Sequence, residues 1–261
     1  TTIPYFEDNE IEDRVARDKD GEGKSYKLGK DVTFFEWIEQ YGSPEFKKRV
    51  QEQRKRFLDM DKPSFDSSVW HETMKKQDLR IMESWCDDWL KVISPEERDS
   101  IEIYTMSAYS DMNSYLRGQA SSTYYINEIK QVAAALEKAS LPEEVIVRRG
   151  SDYNMLIELG IDISEANKDR LVGAIVTDKG FMSTSPDPHG GFTKAIEYVI
   201  KVPKGSQAMY IDPISVNRGE RELLINRGGK YIIEDIEFIE VNNRSYVKKI
   251  YMTLKNLKNP K

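Results

Sequence analysis

Up to about residue 140 the apolar positions recur three and four apart; beyond it they alternate or bunch into short runs. VTFFEWIEQY (33–41 with Val32) carries an apolar stripe, and Ser43-Pro44 marks the start of a second helix, PEFKKRVQEQRKRFLDM, with a solvated basic outer face. DKPSFDSS then reads as a linker. From about residue 68 the spacing of Trp70, Met74, Ile81, Met82, Trp85 and Trp89 predicts one continuous helical region. Ser94-Pro95-Glu96-Glu97 predicts an N-cap, a proline in the first turn and a capping-box glutamate. Helices through SIEIYTMSAYSDMNSYLRG and YYINEIKQVAAALEKA follow. The later segments EVIVRR, GFMSTS, KAIEYVIKVP, QAMYID, RELLIN, KYIIEDIEFIEV and RSYVKKIYMTL are β-branched and aromatic, divided by Gly, Pro and Asn. Helices first and strands later predict an α+β fold rather than a βαβ repeat. There is no internal repeat and no Gly-rich phosphate loop of the Walker or dinucleotide kind.

Composition narrows the chemistry. The 261 residues are enough for a large domain with an extension, and 39% hydrophobic content supports a real core. A net charge of −6 argues against a broad basic face for nucleic acid. No apolar run approaches the ~18 residues of a membrane span, and no signal-peptide pattern is visible. The chain opens on Thr1, as expected of a mature or excised segment. Residues 1–31 are polar and charge-rich, a poor core former. One cysteine, Cys86, and two histidines, His71 and His189, leave no material for a disulfide, a cysteine cluster or a multi-histidine metal site.

Residues 217–231, NRGERELLINRGGKY, place Glu220 and Glu222 before an apolar run. On a strand they would share one face, with Arg221 on the other, their backbones roughly 6.5–7 Å apart. Like charges that close raise each other's pKa unless something compensates. Taken alone, the pair reads as a solvated strand end.

Two further short stretches change that reading. Val145-Ile146-Val147-Arg148-Arg149-Gly150 is an apolar strand ending in two arginines, and Gly180-Phe181-Met182-Ser183-Thr184-Ser185 ends in three hydroxyls. In the order Arg, Ser-Thr-Ser, Glu-x-Glu, the three segments resemble the signature of the mono-ADP-ribosyltransferases. The likeness is nearest to the enzymatic components of clostridial and bacillary binary toxins and to the Rho-modifying exoenzymes. Trp85, Trp89, Ser94 to Glu97, Tyr104-Thr105, Tyr109, Asn113 and Leu116-Arg117 extend it, so that it covers roughly residues 80–255. It implies two packed, strongly bent antiparallel sheets with flanking helices. The implied division is a helical N-terminal extension at 1–75 and a catalytic domain at 76–261.

The resemblance also implies roles. NAD would be the substrate, with no metal. Glu222 would stabilise an oxocarbenium ion at the nicotinamide ribose, Ser183 would orient it, and Glu220 would receive an arginine of a target protein. The Rho-modifying relatives have Gln at the Glu220 position. Arg148 and Arg149 would contact the cofactor, as would Tyr104, Tyr109 and Asn113 on the nicotinamide side. Thr184 and Ser185 would shape the strand end beside it. In the PDPHGGF loop Phe192 would pack on the cofactor and Lys194 would reach a phosphate, with His189 a solvated residue. Two departures bear on the target: the turn 213–218 has no aromatic, and Gly180 stands where actin-modifying relatives often have Asn. The implied setting is a secreted or injected bacterial protein acting in a target-cell cytosol, with actin among the candidate targets and a translocation component as a candidate partner. An NAD glycohydrolase without protein target, or an inactive docking copy of the fold, are the competing readings.

Overall fold

In the computed structural model, residues 65–255 are described apart from Tyr153, Phe192 and Asn243, together with Ala16–Arg17, Gly23–Lys24 and Pro44. The helices expected within 32–60 lie outside the described residues. The chain divides into two units, Thr1–Ser64 and Phe65–Lys261. In the first, β1 (Ala16–Arg17) and β2 (Gly23–Lys24) pair antiparallel.

The second unit opens with α1 (Ser67–Lys76) and α2 (Leu79–Trp89). The expected continuous helix is interrupted because Asp78 caps a new one, its side chain accepting from Arg80 N. Gln77, left between them, turns its side chain onto an edge strand. It accepts from Ile146 N at 2.6 Å and donates to Ile146 O and Pro186 O. α3 (Pro95–Ile103) has both bonds of the capping box predicted at Ser94 and Glu97. A π-helical turn, Tyr104–Ala108, joins α3 to α4 (Tyr109–Leu116); α5 (Ile126–Glu137) follows.

The strands form two sheets. The larger runs β3 (Val145–Ser151), β6 (Ile196–Val202), β10 (Arg244–Lys255), β9 (Gly229–Val241), β4 (Ile175–Asp178). Its pairs are antiparallel except β6–β10, which departs from the all-antiparallel expectation. After β6 the chain builds two strands of the other sheet, returns to the large sheet through β9, and only then lays β10 beside β6 in the same direction. Register shifts at Val247/Lys249 and Tyr251/Met252 bend the long β9–β10 ribbon. The smaller sheet is β5 (Met182–Thr184), β8 (Leu223–Ile225), β7 (Ala208–Tyr210), all antiparallel. β4 has no counterpart in the sequence reading: IVTD is four residues between glycine-containing turns, too short for periodicity to register.

Strand alternation sorts the core into layers. Val145 and Val147 of β3, with Leu223 and Ile225 of β8, lie in the core between the sheets. Leu224 and Met209 face the other way, onto the helices with Trp89, Ile101 and Leu136. Ile146 faces outward from the large sheet and meets Trp70 and Met74 of α1. α1, which a boundary at residue 75 would assign to the extension, therefore packs on the large sheet. Because both faces of the small sheet are covered, LLI and AMY are buried at every position.

Candidate active site

The site gathers where the two sheets meet. The end of β5 joins β3 through one isolated bridge: Arg148 and Ser185 exchange backbone bonds at 2.8 Å each way. This contact brings the arginines of one segment to the hydroxyls of another.

Glu222 immediately precedes β8. Its carbonyl accepts from Ile211 N at 2.9 Å, continuing the β7–β8 pairing by one residue. Only 7% of the residue is exposed. Its neighbour Glu220 is exposed. The two acids are not on a strand, as the alternation argument assumed. Gly219 and Arg221 have φ of 97° and 55°, so the segment is a turn. Arg221 in that region costs about 1 kcal/mol. One acid is thereby sunk into the protein and the other held at the rim.

A directed set of hydrogen bonds ends on Glu222. Phe181 N donates to Asn113 Oδ1 at 2.8 Å, which fixes the amide's orientation. Asn113 Nδ2 then donates to the Tyr104 hydroxyl at 3.1 Å. Tyr104 lies 3.1 Å from Ser183 Oγ, and the Ser183 hydroxyl bonds the Glu222 carboxyl. With Asn113 committed as donor, the consistent assignment has Tyr104 donating to Ser183 and Ser183 to Glu222, each bond polarising the next. Burial, then the Glu222 charge, push the Tyr104 hydroxyl up to about 12, so it remains protonated as a donor. Tyr104 opens the π-helical turn, the sort of irregularity found at functional sites. In the same turn Thr105 takes hold of the loop before the two acids: Val216 N donates to its Oγ1, and Asn217 Nδ2 to its carbonyl.

Burial pushes the Glu222 carboxyl up to about 7; the Ser183 bond and Arg149 oppose this, and the charges of Glu220 and Asp212 add to it. Glu220 is raised too, by burial and then by Asp212. The sign for stability follows. The folded value of Glu222 lies above its ordinary 4.5, so no penalty exists below that pH, and stability is lost as pH rises toward about 7. The expected result is that Glu222→Gln gains stability over wild type between pH 5 and 8, by up to about 3 kcal/mol. Thermal unfolding of both proteins across that range checks it; parallel curves would refute the buried-charge assignment.

The remaining residues occupy distinct places. Arg149 Nη1 donates to Ser183 O at 2.9 Å. Arg148 Nη1 donates to Gly190 O at 2.9 Å and Pro188 O at 3.3 Å, bracing the loop after Ser185. Its Nε is 3.3 Å from Glu197 Oε1, an ion pair at an angle that makes no hydrogen bond, and this buried atom has no hydrogen-bond partner among the described residues. A guanidinium with donor capacity in hand suits an anionic ligand. Thr184 and Ser185 are buried. Thr184 Oγ1 donates to Leu223 O at 2.7 Å, and Ser185 Oγ accepts from Asp187 N, so both hydroxyls serve the scaffold. Tyr109 is 47% exposed, its ring edge-on to Tyr104. Lys194 pairs with Asp152 at 3.0 Å, and His189 is exposed. Phe192 lies outside the described residues. No group of three or more His, Cys, Asp or Glu suited to a metal occurs among the described residues.

The partners through which several supporting residues act carried no signal in the sequence. Arg117 makes a two-pronged pair with Asp178, 2.8 Å on each arm, and Asp178 Oδ1 also accepts from Gly180 N. A Cβ on Gly180 would sit 2.8 Å from Asn113 Oδ1, so no side chain fits there without displacing the amide. Gly180→Ala is expected to cost about 1–3 kcal/mol and to weaken the hydrogen bonds leading to Glu222. Thermal unfolding and turnover test it; a variant with wild-type values of both would show that Asn113 is not held as described. Arg221 pairs with the buried Asp187, joining the acid-bearing turn to the loop after Ser185. Asp212 lies under the same turn.

The sequence model of the ADP-ribosyltransferase exoenzyme family matches residues 82–259. The chain is 28% identical over 160 residues to the NAD(+)–arginine ADP-ribosyltransferase EFV of Enterococcus faecalis, which covers 59% of this chain and 31% of that protein. It is 29% identical over 176 residues to mono-ADP-ribosyltransferase C3 of Hathewaya limosa, covering 59% of this chain and 68% of the relative. The chain thus spans about a third of the enterococcal protein. Among solved structures, Plx2a, an ADP-ribosyltransferase toxin from Paenibacillus larvae, superposes with a TM-score of 0.58 at 26% identity, over 68% of this chain and 94% of that one.

Proposed function

From the premise that the chain belongs to the ADP-ribosyltransferase exoenzyme family, we propose that it cleaves NAD and transfers ADP-ribose to an arginine of a target protein. The observation that carries the reading is the unequal pair of acids: Glu222 buried at the end of a hydrogen-bonded line from Asn113, and Glu220 exposed two residues away.

The bond from the ribose anomeric carbon to the nicotinamide nitrogen breaks, and nicotinamide leaves with the electron pair. The sugar carbon becomes cationic, as in glycoside cleavage. Glu222, costly to ionise in the free protein, becomes favourable as an anion once that charge develops beside it. Its stabilisation is therefore larger in the transition state than in the resting site. Ser183 and Arg149 favour its ionised form and offset part of that cost. A guanidinium nitrogen then bonds the anomeric carbon and yields a proton, for which Glu220 is the acceptor. Arg148 and Arg149 supply donors for the pyrophosphate, and Tyr109 an exposed ring for the nicotinamide side. Water reaching the same cation gives slow NAD hydrolysis.

Because the bond-breaking step needs Glu222 ionised, kcat/KM for NAD is expected to rise with pH along a limb near 7, the value burial gives this carboxyl. A pH–rate profile checks it, and a flat profile from pH 5 to 9 would contradict it.

In this reading the catalytic domain is the unit Phe65–Lys261. The protein acts after secretion or injection, in the cytosol of a target cell. Incubating the protein with labelled NAD and host-cell lysate tests the activity: a labelled protein band is expected. Free ADP-ribose alone would favour a glycohydrolase, and no product at all a docking copy.

A further inference from the structure

We propose that Asp212 is the positioning residue for Glu220, gripping the backbone on both sides of it so that its carboxylate is aimed at the incoming acceptor. The inference rests on the transferase reading above.

Asp212 belongs to a short 3-10 turn, Asp212–Ile214, that follows β7. Its Oδ1 accepts from Gly219 N at 3.0 Å and from Arg221 N at 2.7 Å, and its Oδ2 lies 3.3 Å from Gly219 N. These are the amides immediately before and after Glu220. Both residues have positive φ, a backbone that Arg221 would not keep unaided. Charge-assisted bonds to a carboxylate are strong enough to hold such a turn. Glu220 itself is exposed and makes one long backbone bond, from its N to Asn217 O at 3.4 Å. Its direction is therefore set by the turn, whose backbone Asp212 holds while the Arg221 side chain is paired with Asp187. The charge of Asp212 also lies close enough to raise the Glu220 carboxyl, which suits a group that must receive a proton. Thr105 holds the other end of the loop, at Val216 and Asn217, so Asp212 acts on the one stretch that Thr105 does not reach.

The test compares Asp212→Ala with Asp212→Asn, whose side-chain oxygen still accepts from both amides. Labelled NAD is supplied with agmatine, and ADP-ribosyl-agmatine and free ADP-ribose are measured separately. Asp212→Ala is expected to lower transfer by about tenfold to a hundredfold, while hydrolysis stays within about threefold, the effect of misplacing one reacting group. Asp212→Asn is expected to restore most of the transfer. In a Glu220→Gln background the Ala substitution should have no further effect on transfer, because the residue acts through Glu220. Amide exchange by NMR reads the clamp without activity: Gly219 and Arg221 amides should exchange about tenfold faster in Asp212→Ala and not in Asp212→Asn. Parallel loss of both activities, an Asn variant as poor as Ala, or unchanged exchange would each overturn the proposal. A wild-type protein that hydrolyses NAD but labels neither agmatine nor lysate protein would overturn the arginine reading instead, and the exchange measurement would then decide the clamp.

Discussion

Glu222→Gln is expected to reduce both ADP-ribose transfer and NAD hydrolysis by about 10²–10³, the usual loss when one preorganised electrostatic partner of a transition state is removed. The substitution keeps shape and the capacity to accept from Ser183. What it removes is the charge that the fold holds back until a cation appears. Burial makes that charge costly in the resting protein, and the same burial makes it effective once the ribose becomes positive, since little solvent screens it. NAD affinity, measured by quenching of tryptophan fluorescence, should change little. Turnover near wild type would remove Glu222 from the catalytic role.

Glu220→Gln is expected to separate the two activities. Transfer to an arginine acceptor should fall by orders of magnitude, because the guanidinium loses both an anionic partner and a proton acceptor. Hydrolysis, which needs neither, should survive within about tenfold, a difference of roughly 1.4 kcal/mol in barrier. The geometry supports the separation. Glu220 stands exposed on a turn, and the hydrogen bonds that end on Glu222 do not pass through it. Parallel loss of both activities would place Glu220 in the cofactor step.

The candidate site residues stand out in the sequence through the order of three short segments, which together resemble a known signature although each is weak alone. Short apolar, β-branched runs marked the strands leading to Arg148 and to Ser183, and the capping box marked the entrance to α3, which leads into Tyr104. The relation between Glu220 and Glu222 was misread because alternation was applied to a turn. The positive φ of Gly219 and Arg221 makes the segment a turn, which leaves Glu222 buried and Glu220 exposed. The supports of the site were not legible for a related reason. Asp212, Gln77 and the Arg117–Asp178 pair act through side-chain bonds to backbone or to residues distant in the chain, and such bonds leave no period in a sequence. β4 and the parallel β6–β10 pair likewise depend on partners that local patterning does not name.

In the proposed mechanism one buried acid opens NAD and its exposed neighbour directs the product to arginine. Tandem mass spectrometry of a target-cell protein modified by the wild-type chain and NAD tests it most directly, by locating the amino acid that carries ADP-ribose. The adduct is expected on an arginine side chain and is expected to be lost in Glu220→Gln. ADP-ribose on an asparagine, or an arginine adduct that persists undiminished in Glu220→Gln, would contradict it.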